Sequence, residues 1–318
     1  MRTLLTWTDK RPWAWSLLGI LILWLVLGIL TARFSVQSLS GVMTTAAFLL
    51  FPALGQMLVV TTGRGNIDLS IPSVITLSAF LSVNIVGGSD QMLPLGLLAV
   101  LGTGLAVGLL NALLVLVLRI PAMIATLATG YVLATATMLA NRSASGFQIS
   151  PILTWLTSGR VASVPVIVIV ALLATGLCAL MLKWTVFGRV LSAVGQNQRA
   201  AAFAGIPVGR VVTTTFVASA MIAALTGTLL SARAGGAFLD MGSPFLLQSV
   251  GAVVLGGTLI FGGSATAAGT LFGSVLLVLI VTTMQIAGLP GGTQEIIQGV
   301  VIIAVLAFAG DARSRGSA

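Results

Sequence analysis

The stretch AWSLLGILILWLVLGILT, residues 14–31, decides the class of fold. It carries no charged side chain, and a helix that crosses a membrane needs about 20 predominantly apolar residues. Arg2, Lys10 and Arg11 precede the stretch, and no small-residue cleavage pattern follows it, which argues against a cleaved signal peptide. We therefore expect a membrane-spanning helix that stays in the chain.

The composition extends this expectation to the whole chain. Of the 318 residues, 58% are hydrophobic and 7% are charged, whereas a soluble domain has about 25% charged residues. The net charge of +9 comes from basic residues that stand singly between apolar runs, not from the stripe typical of nucleic-acid-binding proteins. There is no histidine, and the one cysteine, Cys178, lies in an apolar run. We expect lipid as the solvent, no nucleic-acid partner, no disulfide and no metal site.

We predict an all-α bundle of about ten transmembrane helices, forming a single domain over residues 1–318. No charge occurs between Asp240 and Glu295, a stretch too long for one helix, and the glycines at 262–263 supply the break. The 37 glycines fit close helix packing, and Gly104 and Gly108 form a G-x-x-x-G pair. The predicted spans are 14–32, 42–62, 70–87, 92–118, 121–140, 163–182, 211–231, 245–262, 265–287 and 294–310.

The distribution of basic residues predicts the orientation. With ten spans, most of them fall in loops on the side of the N-terminus, which the positive-inside rule assigns to the cytoplasm. Both ends, residues 1–13 and 311–318, are then cytoplasmic. The longest inside loop is 183–210, and the longest outside loop is 141–162. The outside loops hold the remaining arginines: Arg33, Arg142, Arg160 and Arg233.

The inside loop 183–210 contains a stretch of strong helix propensity. The stretch runs from Ala200 to Ala204 and is closed by Gly205. A short helix in a cytoplasmic loop could dock on a partner, or it could merely connect two spans. The residue pattern alone leaves both interpretations open.

Five motifs follow one another along the chain between about residues 42 and 310. They are TGRGNIDLS at 62–70; GLLN at 108–111 with LRIPAMIATL at 118–127; FGR at 187–189 with AVGQN at 193–197, AA at 200–201 and AGI at 204–206; VVLGGT at 253–258 with GG at 262–263 and GTL at 269–271; and QEIIQG at 294–299. In this order they resemble the ribose-type permeases of bacterial carbohydrate ABC importers, a family that also includes autoinducer permeases. One short motif would be unspecific, but five in order are a specific match.

The resemblance implies the ABC importer permease fold and a membrane-spanning subunit that is one of two permeases in a complex. It implies a cytoplasmic ATP-binding subunit that holds ATP and Mg, and a periplasmic or extracellular substrate-binding protein. A sugar or sugar-like small polar solute would then move inward across the bacterial inner membrane. The chain has no G-x-x-x-x-G-K-[ST] phosphate loop. We therefore predict that it binds no cofactor itself and is not an enzyme.

The resemblance also implies that segment 196–206 is the coupling helix that docks on the ATPase. The predicted coupling residues are Asn197, Gln198, Arg199, Ala200, Ala201 and Gly205. The physical reason is that a short helix on a stiff loop can move two neighbouring spans as a lever.

The chain departs from the family pattern at several positions. Arg199 stands where the family usually has Glu, and Asn66 stands where it usually has Gly. Pro72 replaces a small residue, and Leu246 and Gln248 stand where the family often shows Glu and Asp. The charge reversal at Arg199 favours a heterodimer with a second permease, while a homodimer stays open.

Five polar residues are candidates for the translocation path or gate: Asn66, Asp68, Ser70, Asn111 and Gln248. A carboxylate near the membrane core is costly, which makes Asp68 a functional candidate. Alternatively, Asp68 and Ser70 cap the helix that follows, with Arg64 as the ion partner. Asn111 and Gln248 could bind sugar hydroxyls or form interhelical hydrogen bonds.

A self-sufficient facilitator or secondary transporter is the alternative function. An ion-coupled carrier usually needs buried ionisable or coordinating groups. This sequence has few carboxylates and no histidine, so the facilitator is the stronger form of the alternative.

Overall fold

A computed structural model describes residues 13–31, 36–142 and 148–314. Most of the predicted cytoplasmic N-terminus, residues 1–12, and residues 315–318 of the predicted tail lie outside the described residues. The same holds for residues 32–35, which include Arg33, and for residues 143–147 of the predicted outside loop.

The described residues form helices almost throughout, which confirms the all-α class. The helices are α1 Trp13–Thr31, α2 Val36–Thr61, α3 Ile71–Val86, α4 Leu93–Leu116, α5 Ala122–Arg142, α6 Pro151–Ser158, α7 Val166–Trp184, α8 Val186–Gln196, α9 Gln198–Phe203, α10 Val208–Ala234, α11 Phe245–Leu255, α12 Ala267–Ile286 and α13 Gly291–Ser314. A 3-10 turn, Asp90–Met92, precedes α4. Two short strands, β1 Arg160–Val161 and β2 Val164–Pro165, pair antiparallel between α6 and α7.

Every predicted span overlaps one of these helices, but the number of membrane crossings stays a prediction. Among the described residues, six helices are long and apolar enough to cross: α2, α4, α5, α7, α10 and α12. Helices α1, α3 and α11 contain shorter apolar segments.

The predicted span 245–262 is too long. Helix α11 has 11 residues, or about 16 Å at 1.5 Å per residue, against a hydrocarbon core about 30 Å thick. The helix ends at Leu255 because Gly256 and Gly257 follow, and glycine is a poor helix former. The apolar run continues beyond Leu255 as a loop that leads into α12.

Helix α2 lies at the centre of the bundle. All its side chains from residue 46 to residue 60 are buried, and it contacts α7, α10, α11 and α12. A helix that is apolar on every side is expected in the interior of a protein. Helix α2 therefore presents the loop at its C-terminal end, residues 62–70, to the middle of the packed bundle.

Helix α10 packs closely against α4 through the predicted glycine pair. A Cβ atom on Gly108 would lie 2.4 Å from the Cα of Val217, and one on Gly104 would lie 2.7 Å from the Cα of Met221. No side chain fits at these distances, because the neighbouring atoms are backbone atoms of α10. The predicted G-x-x-x-G packing is confirmed.

Candidate functional site

Asp68 lies in the loop between α2 and α3 and is 2% exposed. Its Oδ1 accepts hydrogen bonds from the Ser70 amide at 3.0 Å and from the Ser70 hydroxyl at 2.6 Å. Its Oδ2 accepts a hydrogen bond from the hydroxyl of Ser219 in α10 at 2.9 Å. Both carboxylate oxygens are therefore hydrogen-bonded in the packed interior, and the carboxylate fastens the loop to α10.

Three further helices contact the same loop through polar side chains. Asn111 Nδ2 of α4 donates to the Ser70 hydroxyl at 2.9 Å, and Gln56 Oε1 of α2 accepts from the Asp68 amide at 3.3 Å. Thr126 Oγ1 of α5 accepts from a backbone amide of the loop at 2.9 Å. We call the set Gln56, Asp68, Ser70, Asn111, Thr126 and Ser219 the Asp68 network. It joins α2, α4, α5 and α10 to one loop.

The Asp68 network does not cap α3 in the way the sequence suggested. Ser70 stands at the N-cap position, but its hydroxyl bonds to Asp68 and Asn111 rather than to the first turn of α3. Arg64, the expected ion partner of Asp68, is exposed, and its Nη1 donates to Gln198 Oε1 at 3.3 Å. Neutral donors, the Ser70 amide and the hydroxyls of Ser70 and Ser219, therefore hold the Asp68 carboxylate in place of the expected arginine.

Gln248 lies apart from the Asp68 network, on α11, and lines a cavity of about 650 Å³. Its Nε2 donates to Gln298 Oε1 of α13 at 3.4 Å. Two arginines also line this cavity: Arg160 from β1 and Arg233 from the last turn of α10. Its volume lies within the range of about 300–1,000 Å³ that is usual for small-ligand pockets. Three of the five candidate path residues, Asp68, Ser70 and Asn111, therefore belong to a packed network, whereas Gln248 lines an open cavity.

The sequence reasoning missed Arg160 and Arg233 as cavity residues. It placed both on the outside of the membrane but gave no reason to bring them together with Gln248. Neither arginine belongs to a motif. The signal that could have found them is their rarity, since the predicted outside loops contain only a few basic residues.

The predicted short helix of the inside loop is present as α9. Asn197 is its N-cap, and its Oδ1 accepts from the amides of Arg199 and Ala200, each at 3.0 Å. Gly205, with φ of +79°, ends the segment in a Schellman arrangement of backbone hydrogen bonds. Both ends of α9 are therefore specified by their own residues, so the helix is a defined element of the loop. The helix before it, α8, was not predicted.

Helix α9 presents an exposed surface. Arg199 and Ala200 are exposed, whereas Ala201 is buried and anchors the helix to the bundle. Phe203 is 93% exposed. An aromatic ring in that position is free of packing within the described residues, which suits a surface that meets another protein.

Three chain segments meet in backbone contact at what we call the glycine junction: Gly63, Gly195, Gly262 and Gly263. A Cβ atom on Gly195 would lie 1.9 Å from the carbonyl oxygen of Thr61, and one on Gly262 would lie 2.3 Å from the Cα of Gly63. The Gly263 amide donates to the Thr61 carbonyl at 3.0 Å. The junction joins the ends of α2 and α8 to the loop between α11 and α12.

Gln198 links α9 to this junction. Its Nε2 donates to the carbonyl of Thr62 at 3.0 Å, and its Oε1 accepts from Arg64. Asn66 continues the connection, because its Nδ2 donates to Thr62 Oγ1 at 2.8 Å. A displacement of α9 would therefore reach the loop that carries Asp68.

The chain is similar in sequence to known transport permeases. The family described as "Branched-chain amino acid transport system / permease component" matches residues 38–306. The galactofuranose transporter permease protein YtfT of Escherichia coli K12 is 31% identical over 95% of this chain and 92% of its own. The autoinducer 2 import system permease protein LsrC of Enterobacter sp. strain 638 is 33% identical over 94% of this chain and 86% of its own. The permease protein LsrD of the same kind of system, from Escherichia coli SMS-3-5, is 29% identical over 83% of this chain and 81% of its own.

No solved structure matches the chain significantly. The family match nevertheless includes the Asp68 network, α9 and the glycine junction. Because the match covers most of the chain, and two relatives are more than 30% identical over nearly all of it, the chain belongs to this permease-component family and, within it, to the sugar-type permeases of ABC importers.

Proposed function

We propose that this chain moves a sugar or sugar-like small polar solute inward while a separate subunit hydrolyses ATP. The observation that carries the proposal is the family match over residues 38–306. The well-defined α9, which is tied to the glycine junction through Gln198, supports it. A coupled permease needs such a connection between its partner-facing surface and its membrane-embedded core.

The proposed complex contains a second permease, either identical or different, and a cytoplasmic subunit that binds ATP and Mg. A periplasmic or extracellular substrate-binding protein delivers the solute. This chain would cross the inner membrane about ten times with both termini in the cytoplasm. In that orientation α9 and the glycine junction face the cytoplasm, and the cavity with Gln248 faces outward. The chain itself would bind no cofactor and catalyse no reaction.

The predicted site residues receive separate roles in this proposal. Asn197, Gln198, Arg199, Ala200, Ala201 and Gly205 form the coupling segment. Gln248 lies on the solute path, where an amide can both donate to and accept from sugar hydroxyls. Asp68, Ser70 and Asn111 hold the loop 62–70 as one body, and Asn66 bonds to Thr62 at the end of that loop next to the glycine junction.

The test measures ATP hydrolysis after the purified permease is reconstituted in nanodiscs with a candidate ATPase and a candidate substrate-binding protein from neighbouring genes. We expect the ATPase to co-purify and its activity to rise when loaded binding protein is added. If the permease alone moves sugar down a gradient in liposomes and retains no ATPase, the chain is a facilitator instead.

We expect Asn197→Ala to lower the stimulated ATPase activity several-fold. Loss of an N-cap costs about 0.5–2 kcal/mol, and α9, with 6 residues, has few other hydrogen bonds to hold it. Asn197→Asp is the matched control, because it keeps the accepting oxygen and should retain most of the stimulation. Equal stimulation of the Ala and Asp variants would show that the cap of α9 has no part in coupling.

A further inference from the structure

The cavity beside Gln248 carries a charge that the proposed function leaves unexplained. Arg160 and Arg233 line it, and none of the carboxylates in the described residues does. These two side chains approach the cavity from different elements, β1 and the end of α10. The cavity wall described here is therefore positively charged without a counter-charge of its own.

The rest of the wall suits a hydroxylated molecule. Gln248 and Gln285 contribute amides, and Thr44 and Thr282 contribute hydroxyls. Amides and hydroxyls both donate to and accept from sugar hydroxyls. Apolar side chains, Phe48 among them, complete the wall, as is usual in small-ligand pockets.

We propose that this cavity binds an anionic sugar, meaning a sugar that carries a carboxylate or a phosphate group. Arg160 and Arg233 bind the anionic group, since guanidinium pairs with both kinds of oxyanion through two parallel hydrogen bonds. The amides and hydroxyls bind the sugar ring. This inference rests on the proposed function and names the substrate class for it.

The arginines could instead meet acidic residues of the substrate-binding protein. A small molecule is favoured because both side chains line a cavity of about 650 Å³ together with apolar and amide groups. The experiment separates the two partners.

The experiment measures the melting temperature of the full-length permease in nanodiscs against millimolar concentrations of four probes. The probes are glucuronate, glucose 6-phosphate, galactose and inorganic phosphate. We expect glucuronate or glucose 6-phosphate to stabilise the protein in a saturable manner, at least tenfold more tightly than galactose or phosphate. The double variant Arg160→Gln, Arg233→Gln should weaken that binding at least tenfold. Arg142→Gln is the matched control, since Arg142 is exposed and lies outside this cavity.

Several results would overturn the inference. The inference is wrong if galactose binds as tightly as the anionic sugars or if inorganic phosphate alone reproduces their effect. It is also wrong if the double variant binds the anionic sugars like the wild type. Absence of binding by every probe would count against it equally. If the double variant keeps its probe affinity but loses the substrate-binding protein, the arginines serve protein docking instead. The coupled ATPase assay is independent of these outcomes, so stimulated hydrolysis with no preference for anionic sugars would remove this inference and leave the importer function intact.

Discussion

We expect Asp68→Ala to lower the yield of folded permease to a small fraction of the wild-type yield. The substitution removes the acceptor of three hydrogen bonds and leaves the Ser70 amide, the Ser70 hydroxyl and the Ser219 hydroxyl without it. Each buried polar group left unpaired costs about 1–3 kcal/mol. The Ser70 hydroxyl keeps its bond from Asn111 Nδ2, but the Ser70 amide and the Ser219 hydroxyl are left unpaired, and the cost is a substantial part of the stability of a typical domain, about 5–15 kcal/mol. The loop 62–70 would also lose its attachment to α10.

The measurement is the fraction of monodisperse protein in detergent and its melting temperature. Asp240→Ala is the control, because Asp240 is an exposed carboxylate and its loss should change neither quantity. Asp68→Asn keeps one accepting oxygen and should fall between the two. A melting temperature of Asp68→Ala equal to that of the wild type would mean that the network contributes nothing to stability.

Gly108→Leu is expected to separate α4 from α10 and to cause a loss of folded protein of similar size. A Cβ atom at Gly108 would lie 2.4 Å from the Cα of Val217, and backbone cannot rotate away as a side chain can. Overpacking in a close-packed interior costs about 1–3 kcal/mol for small insertions, and Leu adds further atoms to the same contact. Gly108→Ala should therefore show a smaller effect in the same direction.

Gly102→Leu provides the matched control on the same helix. A Cβ atom on Gly102 meets nothing within 4 Å, and Leu has a higher helix propensity than Gly by roughly 0.8 kcal/mol. The Gly102 variant should melt at or above the wild-type temperature. If the variants at Gly102 and Gly108 melted alike, the close approach of α4 and α10 would be wrong.

The helices could be predicted from the sequence because lipid imposes a simple rule. In lipid there is no water to bond the backbone N–H and C=O groups, so these groups pair with one another within helices. The uncharged runs of sequence mark where those helices lie. The rule failed at α11, since no charge marks the end of that helix and the apolar run continues through Gly256 into a loop. It also missed α6, although Ser150 as N-cap followed by Pro151 is a usual signal for a helix start.

The Asp68 network could be predicted only in part. Asp68 stood out because a carboxylate near the membrane core is costly, and Asn111 because polar side chains are rare in apolar spans. Their partner Ser219 did not, since it is one of many hydroxyl residues and lies 151 positions from Asp68. Which helices come together is decided by packing, at positions such as Gly55, where a Cβ atom would lie 2.9 Å from the Cα of Ser219. Packing likewise brings Arg160 and Arg233 to one cavity from distant parts of the chain, so their proximity could not be predicted from the sequence.

The glycine junction has a consequence for the genetics of this protein. In most cores, a mutation that enlarges one side chain can be suppressed by a second mutation that shrinks its neighbour. At Gly195 the neighbour is the carbonyl oxygen of Thr61, and at Gly262 it is the Cα of Gly63. Neither atom can be made smaller by any codon change. A selection for revertants of Gly195→Ala should therefore return the original glycine or nothing, and intragenic suppressors at the facing positions should be absent.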